Sequence, residues 1–206
     1  MTVTKMERLS KVKMRVFLDG EPAFAASAAQ IRLWGLYEGK ELSEEEESQL
    51  SRQICMYAAR TAVEILTRRE YSAHDLLLKL RQKEFTPEAA EFALAYVRQK
   101  HFQDDLRYAE SYIRSHSSKS RMQIRVYLKG HGLTDDIIEE ALGREEKDDE
   151  DTLISELKKR IGRMGQIPQS SDPAYGKLIL SMQRRGFRYS DIRSALQEIS
   201  GAEKPD

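Results

Sequence analysis

His101, Asp104 and Asp105 stand together in "HFQDDLRYAESYIRS", and an imidazole beside two carboxylates is the part of this chain best suited to chemistry. Such groups hold a divalent cation or divide acid and base roles. A metal site needs further oxygen or imidazole ligands from elsewhere, and the local pattern offers a simpler reading. Leu106, Ala109 and Ile113 recur at helical spacing, and Tyr108 and Tyr112 widen that apolar stripe. Asp104 then sits where an N-cap carboxylate accepts a bond from an exposed N–H, and Asp105 answers the positive end of the helix dipole. A helix start is expected here.

Other catalytic signatures are missing from the sequence. There is no phosphate-cradling G-x-x-x-x-G-K-[ST], no G-x-G-x-x-G and no G-x-S-x-G elbow. His74, His101, His116 and His131 are scattered. The single cysteine, Cys55, excludes an intramolecular disulfide and a cysteine metal cluster. It lies in the helical pattern "SRQICMYAARTAVEIL", which makes it a small core or boundary residue. Neither an enzyme nor a cofactor or metal ion is expected.

The bases say more. "RSHSSKSRMQIRVYLK" holds Arg114, Lys119, Arg121, Arg125 and Lys129 without one acid, and Arg121, Arg125 and Lys129 fall on one helix face. Arg184, Arg185 and Arg188 cluster again further on, whereas "REEKDDED" (144–151) is acidic. A charge run is often only a solvated face. Two basic clusters at related places in a repeat also fit a phosphate backbone or an acidic protein groove. "LKGHGLTDDIIEEAL" resembles a helix-turn-helix, but its second helix would carry Asp135, Asp136, Glu139 and Glu140 towards the DNA. The equivalent helix before it carries Glu88 and Glu91, so sequence-specific base reading is not expected.

These residues must be positioned by helices. The 206-residue chain is one-third charged and 40% hydrophobic, which suits an elongated helical protein. Its 34 basic and 34 acidic residues cancel. Strand alternation is confined to the N-terminal 26 residues: Val12, Met14, Val16 and Leu18 alternate with Lys11, Lys13, Arg15 and Phe17. Asp19-Gly20 supplies a two-residue hairpin turn, and Pro22 puts the returning strand, with Phe24, at an edge. A short helix over 26–36 follows. Ser43 and Glu46 form a capping box that opens a helix ending near Arg69, and Glu44 to Glu47 answer its dipole.

Three stretches then align without a gap: "LLLKLRQKEFTPEAAEFAL" (76–94), "IRVYLKGHGLTDDIIEEAL" (124–142) and "LILSMQRRGFRYSDIRSAL" (178–196). Leu80, Leu128 and Met182 correspond, as do Phe85, Leu133 and Phe187, and Ala90, Ile138 and Ile192. Each stretch reads as helix, tight turn, helix. Gly132 and Gly186 suit a left-handed turn, and Glu84 would be strained there by about 1 kcal/mol. Thr86 and Thr134 are the expected caps of the second helices, with Ser190 in that role in the third stretch. A third helix follows the first two pairs, over 105–116 and 149–164. The expected layout is an extension over 1–42, a connecting helix over 43–70, three-helix repeats over 71–118 and 119–166, and a partial repeat over 167–206. No apolar run reaches signal-peptide or membrane-spanning length, so a soluble protein that is not exported is expected. The lone cysteine fits a reducing cytoplasm, and a monomer is expected.

Together these features resemble the RecX family of bacterial RecA regulators. The resemblance rests on "AVEILTRREYSAHDLLLKL", "FTPEAAEFALAYVRQKHFQDDLRYAESYIRS" and "SRMQIRVYLKGHGLTDDIIEEAL". Phe102, Asp104, Asp105, Tyr108, Ala109 and Tyr112 match its hydrophobic-Asp-Asp-x-x-[FY]-Ala-x-x-[YF] signature, and Arg68-Arg69 its basic pair. "VFLDGEPAFAAS" resembles the N-terminal extension of Gram-positive-type members. Glu84 departs from the usual glycine. The resemblance implies a mainly α protein of tandem three-helix repeats in an elongated, curved array, with a small N-terminal β-hairpin-containing extension. It implies binding to RecA filaments along their groove, restraint of filament growth, strand exchange, ATPase and coprotease activity, and weaker direct contact with single- or double-stranded DNA. Arg114, Lys119, Arg121, Arg125, Lys129, Arg184, Arg185 and Arg188 are the candidate contact residues.

Overall fold

The structure, a computed structural model, describes residues 1–202. Its compact units are Met1–Asp104 and a second that begins at Asp105.

In the first unit β1 (Val3–Arg8), β2 (Lys13–Leu18) and β3 (Glu21–Ser27) form an antiparallel sheet in the order β1-β2-β3. The hairpin turns at Asp19 and Gly20, both at positive φ (50° and 92°), as a two-residue turn matched to strand twist requires. Pro22 lies in edge strand β3, as expected. Val16 is fully buried and Met14 and Leu18 pack beside it, but Val12 precedes the strand and is exposed. β1 was not anticipated, because a register shift between Val3 and Lys5 breaks its alternation. Both sheet edges are covered. The Ala25 N–H donates to the Glu84 carbonyl, and Val3 exchanges bonds with Gly39 and Lys40.

Helix α1 (Ala28–Leu33) is capped by Ser27. Helix α2 (Glu44–Leu66) opens with the expected capping box: Ser43 Oγ accepts from Glu46 N at 3.3 Å, and Glu46 Oε2 accepts from Ser43 N at 3.0 Å. It ends at Leu66, short of Arg69. Helices α3 (Ala73–Gln82) and α4 (Pro87–Gln99) complete the unit. A file of rings joins the sheet to these helices: Phe24 to Trp34 (5.6 Å), Trp34 to Tyr57 (5.7 Å) and Tyr57 to Phe85 (5.5 Å).

The second unit holds α5 (Asp105–Ser115), α6 (Arg121–Gly130), α7 (Asp135–Arg144), α8 (Asp149–Met164), α9 (Pro173–Gln183) and α10 (Tyr189–Ala202). One core joins α5, α6 and α7, and a second joins α8, α9 and α10. The aligned positions are all buried. Leu80, Leu128 and Met182 are wholly enclosed, and the Phe85, Leu133 and Phe187 amides donate to their carbonyls at 3.2, 3.2 and 3.3 Å. That bond closes a Schellman turn, with Glu84, Gly132 and Gly186 at positive φ.

By shared core the helices group as α2–α3–α4, α5–α6–α7 and α8–α9–α10. A periodic pattern does not state which flanking helix covers each pair; the cores do. Two expectations are corrected, both at helix caps. Thr134 precedes α7 but makes no side-chain cap bond. Ser190 lies inside α10, where its hydroxyl donates to Asp191 at 2.8 Å.

Candidate binding surface

The His101 cluster is a helix junction. His101 ends α4 in a left-handed conformation (φ 57°), and the Phe102 amide donates back to the Val97 carbonyl at 2.8 Å. The buried polar group is Gln103, unremarked in the sequence. Its Oε1 accepts from Arg98 Nε at 3.1 Å and its Nε2 donates to the Tyr71 carbonyl at 3.4 Å. Asp105 opens α5, and Ala109, Tyr112 and Ile113 are buried. Among the described residues no group of three or more His, Cys, Asp or Glu is placed to hold a metal ion. Burial, then Glu88, pushes the Cys55 thiol up from its ordinary value, away from nucleophilic thiolate.

The eight predicted contact bases fall into different settings. Arg125 Nε donates to Glu139 at 2.5 Å, and Arg121 reaches the same carboxylate at 3.3 Å and the Lys147 carbonyl at 3.0 Å. Lys129 pairs with Asp135 at 2.8 Å, and Arg114 with Glu145 at 2.5 Å. The basic face of α6 therefore lies against Glu139 and Asp135, two of the four acids that disfavoured α7 as a DNA-reading helix. The bond from Arg125 holds the Glu139 carboxyl below its ordinary value, against the opposing effect of partial burial. Arg185 is a structural clamp: one nitrogen donates to Glu156 and another to the Ser118 carbonyl, both at 2.6 Å, while its own carbonyl accepts from Ser120. Arg184 and Arg188 are exposed on either side of the α9–α10 turn and have no ion-pair partner among the described residues.

Lys119 belongs to an aromatic group that the sequence reading missed. Tyr112 and Tyr127 stack at 3.9 Å, nearly parallel, and Tyr112 also stacks on His116 at 4.1 Å. Lys119 lies 5.0 and 5.3 Å from the two tyrosine ring centres and donates to the Tyr112 hydroxyl at 2.5 Å. The four-residue spacing of Tyr108, Tyr112 and His116, and of Tyr127 and His131, is the signal that was available. In the first unit, Arg68, Lys79 and Lys83 line a cavity of about 410 Å³ beside Tyr71. Lys79 lies in the last turn of α3, and Arg68 and Lys83 just beyond the ends of α2 and α3, where helix dipoles favour cations.

Residues 58–96 match the first three-helix domain of RecX, and residues 104–142 match the second. The Regulatory protein RecX of Clostridium acetobutylicum is 28% identical over 205 residues, 96% of each chain. That of Vibrio vulnificus is 31% identical over 142 residues, 67% of this chain and 90% of its own. A crystal structure of regulatory protein RecX superposes with a TM-score of 0.62 at 22% identity, over 94% of this chain and 98% of the other. RecX from Lactobacillus salivarius gives 0.63 at 22% identity, over 72% and 98%. The solved structures share the fold.

Proposed function

The chain belongs to the RecX family of regulatory proteins, and we propose on that premise that it binds RecA nucleoprotein filaments and restrains them. The alignment with a Regulatory protein RecX over 96% of both chains carries this reading. The proposed action limits filament growth and so lowers ATPase, strand-exchange and coprotease activity. It requires binding only, in keeping with a His101 cluster built as a helix junction. Its setting is cytoplasmic, and no helix of the structure is long and apolar enough to cross a membrane.

Arg184 and Arg188 are the first candidates among the eight predicted bases, because contact with a partner breaks no existing ion pair. Arg114, Arg125 and Lys129 can contribute by exchange. Their pairs are half-exposed, and such pairs contribute only about 0–1 kcal/mol.

The second reading is a DNA-binding helical-repeat protein, which the two unpaired arginines also favour. Anisotropy of a labelled single-stranded oligonucleotide, bare or coated with cognate RecA, separates the two. The RecA reading expects tighter binding to the coated strand. Binding no tighter than to bare DNA, with a steep salt dependence, supports the DNA reading.

A further inference from the structure

We propose that the groove between α1 and α2 in the first unit docks an acidic polypeptide segment bearing apolar anchors. The groove encloses about 350 Å³, and Leu33, Trp34, Arg52, Met56, Tyr57 and Arg60 line it. No carboxylate is among its lining residues. Leu33 is 76% exposed and Met56 40%. Trp34, by contrast, is held edge-on by Phe24 and Tyr57, so the floor is rigid before a partner arrives. Trp, Tyr, Met and Arg are the types over-represented in protein interfaces, and a thioether adapts its shape to an apolar anchor.

The charges define the occupant. Arg52 and Arg60 are exposed and have no ion-pair partner among the described residues. They stand eight residues apart on α2, roughly 12 Å along its axis, with Met56 between them. Two carboxylates at that separation fit four residues apart on an extended chain, at about 3.3 Å per residue, or two turns apart on a helix. An apolar side chain between them would meet Met56 and Leu33. Gln49 and Gln53 add amide donors and acceptors for the segment's backbone. A nucleic-acid backbone fits less well. Two cations this far apart neutralise few phosphates, and the two rings of the lining, Trp34 and Tyr57, are already packed edge-on against each other at 5.7 Å. The groove lies in a different unit from Arg184 and Arg188, and its assignment does not depend on RecA being the partner.

Trp34 is the only tryptophan in the chain, so its emission reports on the groove directly. The test titrates the full-length protein with a synthetic peptide of roughly a dozen residues, made of Glu, Leu and Gly. The expected result is a saturable change in Trp34 emission. Arg52→Glu with Arg60→Glu should weaken it at least tenfold, and Leu33→Asp should weaken it independently. Arg184→Glu with Arg188→Glu should leave it unchanged. All five positions are exposed, and circular dichroism verifies that each variant is folded. No saturable change in the wild type, or equal affinity in the Arg52/Arg60 variant, overturns the proposal. So does an equally strong arginine-dependent change with an oligonucleotide of the same charge, which would make the groove a nucleic-acid site. Because RecA is absent, failure here is distinct from failure of the filament reading.

Discussion

Glu84 shows how a single residue reconciles local strain with tertiary structure. It occupies a left-handed position (φ 65°) that favours glycine, yet its carboxylate forms a fork with Arg15 on β2, Nε to Oε2 at 2.6 Å and Nη2 to Oε1 at 2.8 Å. Its backbone carbonyl meanwhile covers the edge of β3. The departure from glycine thus fastens the N-terminal sheet to the first helical group. Arg15, opposed by partial burial, holds the Glu84 carboxyl below its ordinary value of 4.5. A depressed folded value contributes stability that is present above the unfolded pKa and lost as pH falls through the folded one. Glu84→Gln should therefore lower Tm at pH 7, and the gap from wild type should close as pH drops below about 4.5; thermal melts across pH check both. Gly186 makes the opposite case, with φ 92° and an added Cβ only 2.7 Å from Met122 Cβ. Gly186→Ala should cost more than 1 kcal/mol in denaturant melts, and Met122→Ala in the same chain should restore part of that loss, because it removes the Met122 Sδ and Cγ contacts at 2.8 and 3.1 Å while the Cβ contact stays.

Helix ends carry the next level of organisation. Ser120 is fully buried; its Oγ accepts from Gln123 N at 3.2 Å, Gln123 Oε1 accepts from Ser120 N at 3.3 Å, and its hydroxyl donates to the Arg185 carbonyl. Ser120→Ala should cost roughly 1–3 kcal/mol, since both a cap and a buried partner are lost. Thr134→Ala, which removes no cap bond, should stay within about 0.5 kcal/mol. Chemical denaturation of the two variants makes the comparison. These ends also mark what was legible in the sequence. The Ser43 box, the Asp19-Gly20 turn and the three aligned helix pairs were readable because each depends on residues a few places apart. The left-handed turns at His101 and Glu146 were not, since neither residue is a glycine and the bonds that fix them are backbone bonds. The grouping of helices was hidden for another reason: it is set by which core each flanking helix enters. The candidate surface was half-readable. The sequence revealed where the bases fall, but Glu139, Asp135 and Glu156 come from other helices to engage them.

At the scale of the whole molecule, acids and bases balance within each of the two units as well as overall. Recognition then depends on local exceptions to neutrality, not on a long-range field. Arg184 and Arg188 are such an exception in the second unit. Arg184→Glu with Arg188→Glu should weaken binding to RecA-coated DNA at least tenfold, whereas Arg125→Gln should change it less than threefold, because that guanidinium is already engaged by Glu139. Anisotropy with the coated oligonucleotide separates these outcomes. The central claim, restraint of RecA, is tested most directly by titrating the purified chain into cognate RecA during DNA-dependent ATP hydrolysis at low salt. The account predicts that hydrolysis falls with fewer chains present than RecA subunits. An unchanged rate at one chain per RecA subunit would contradict it.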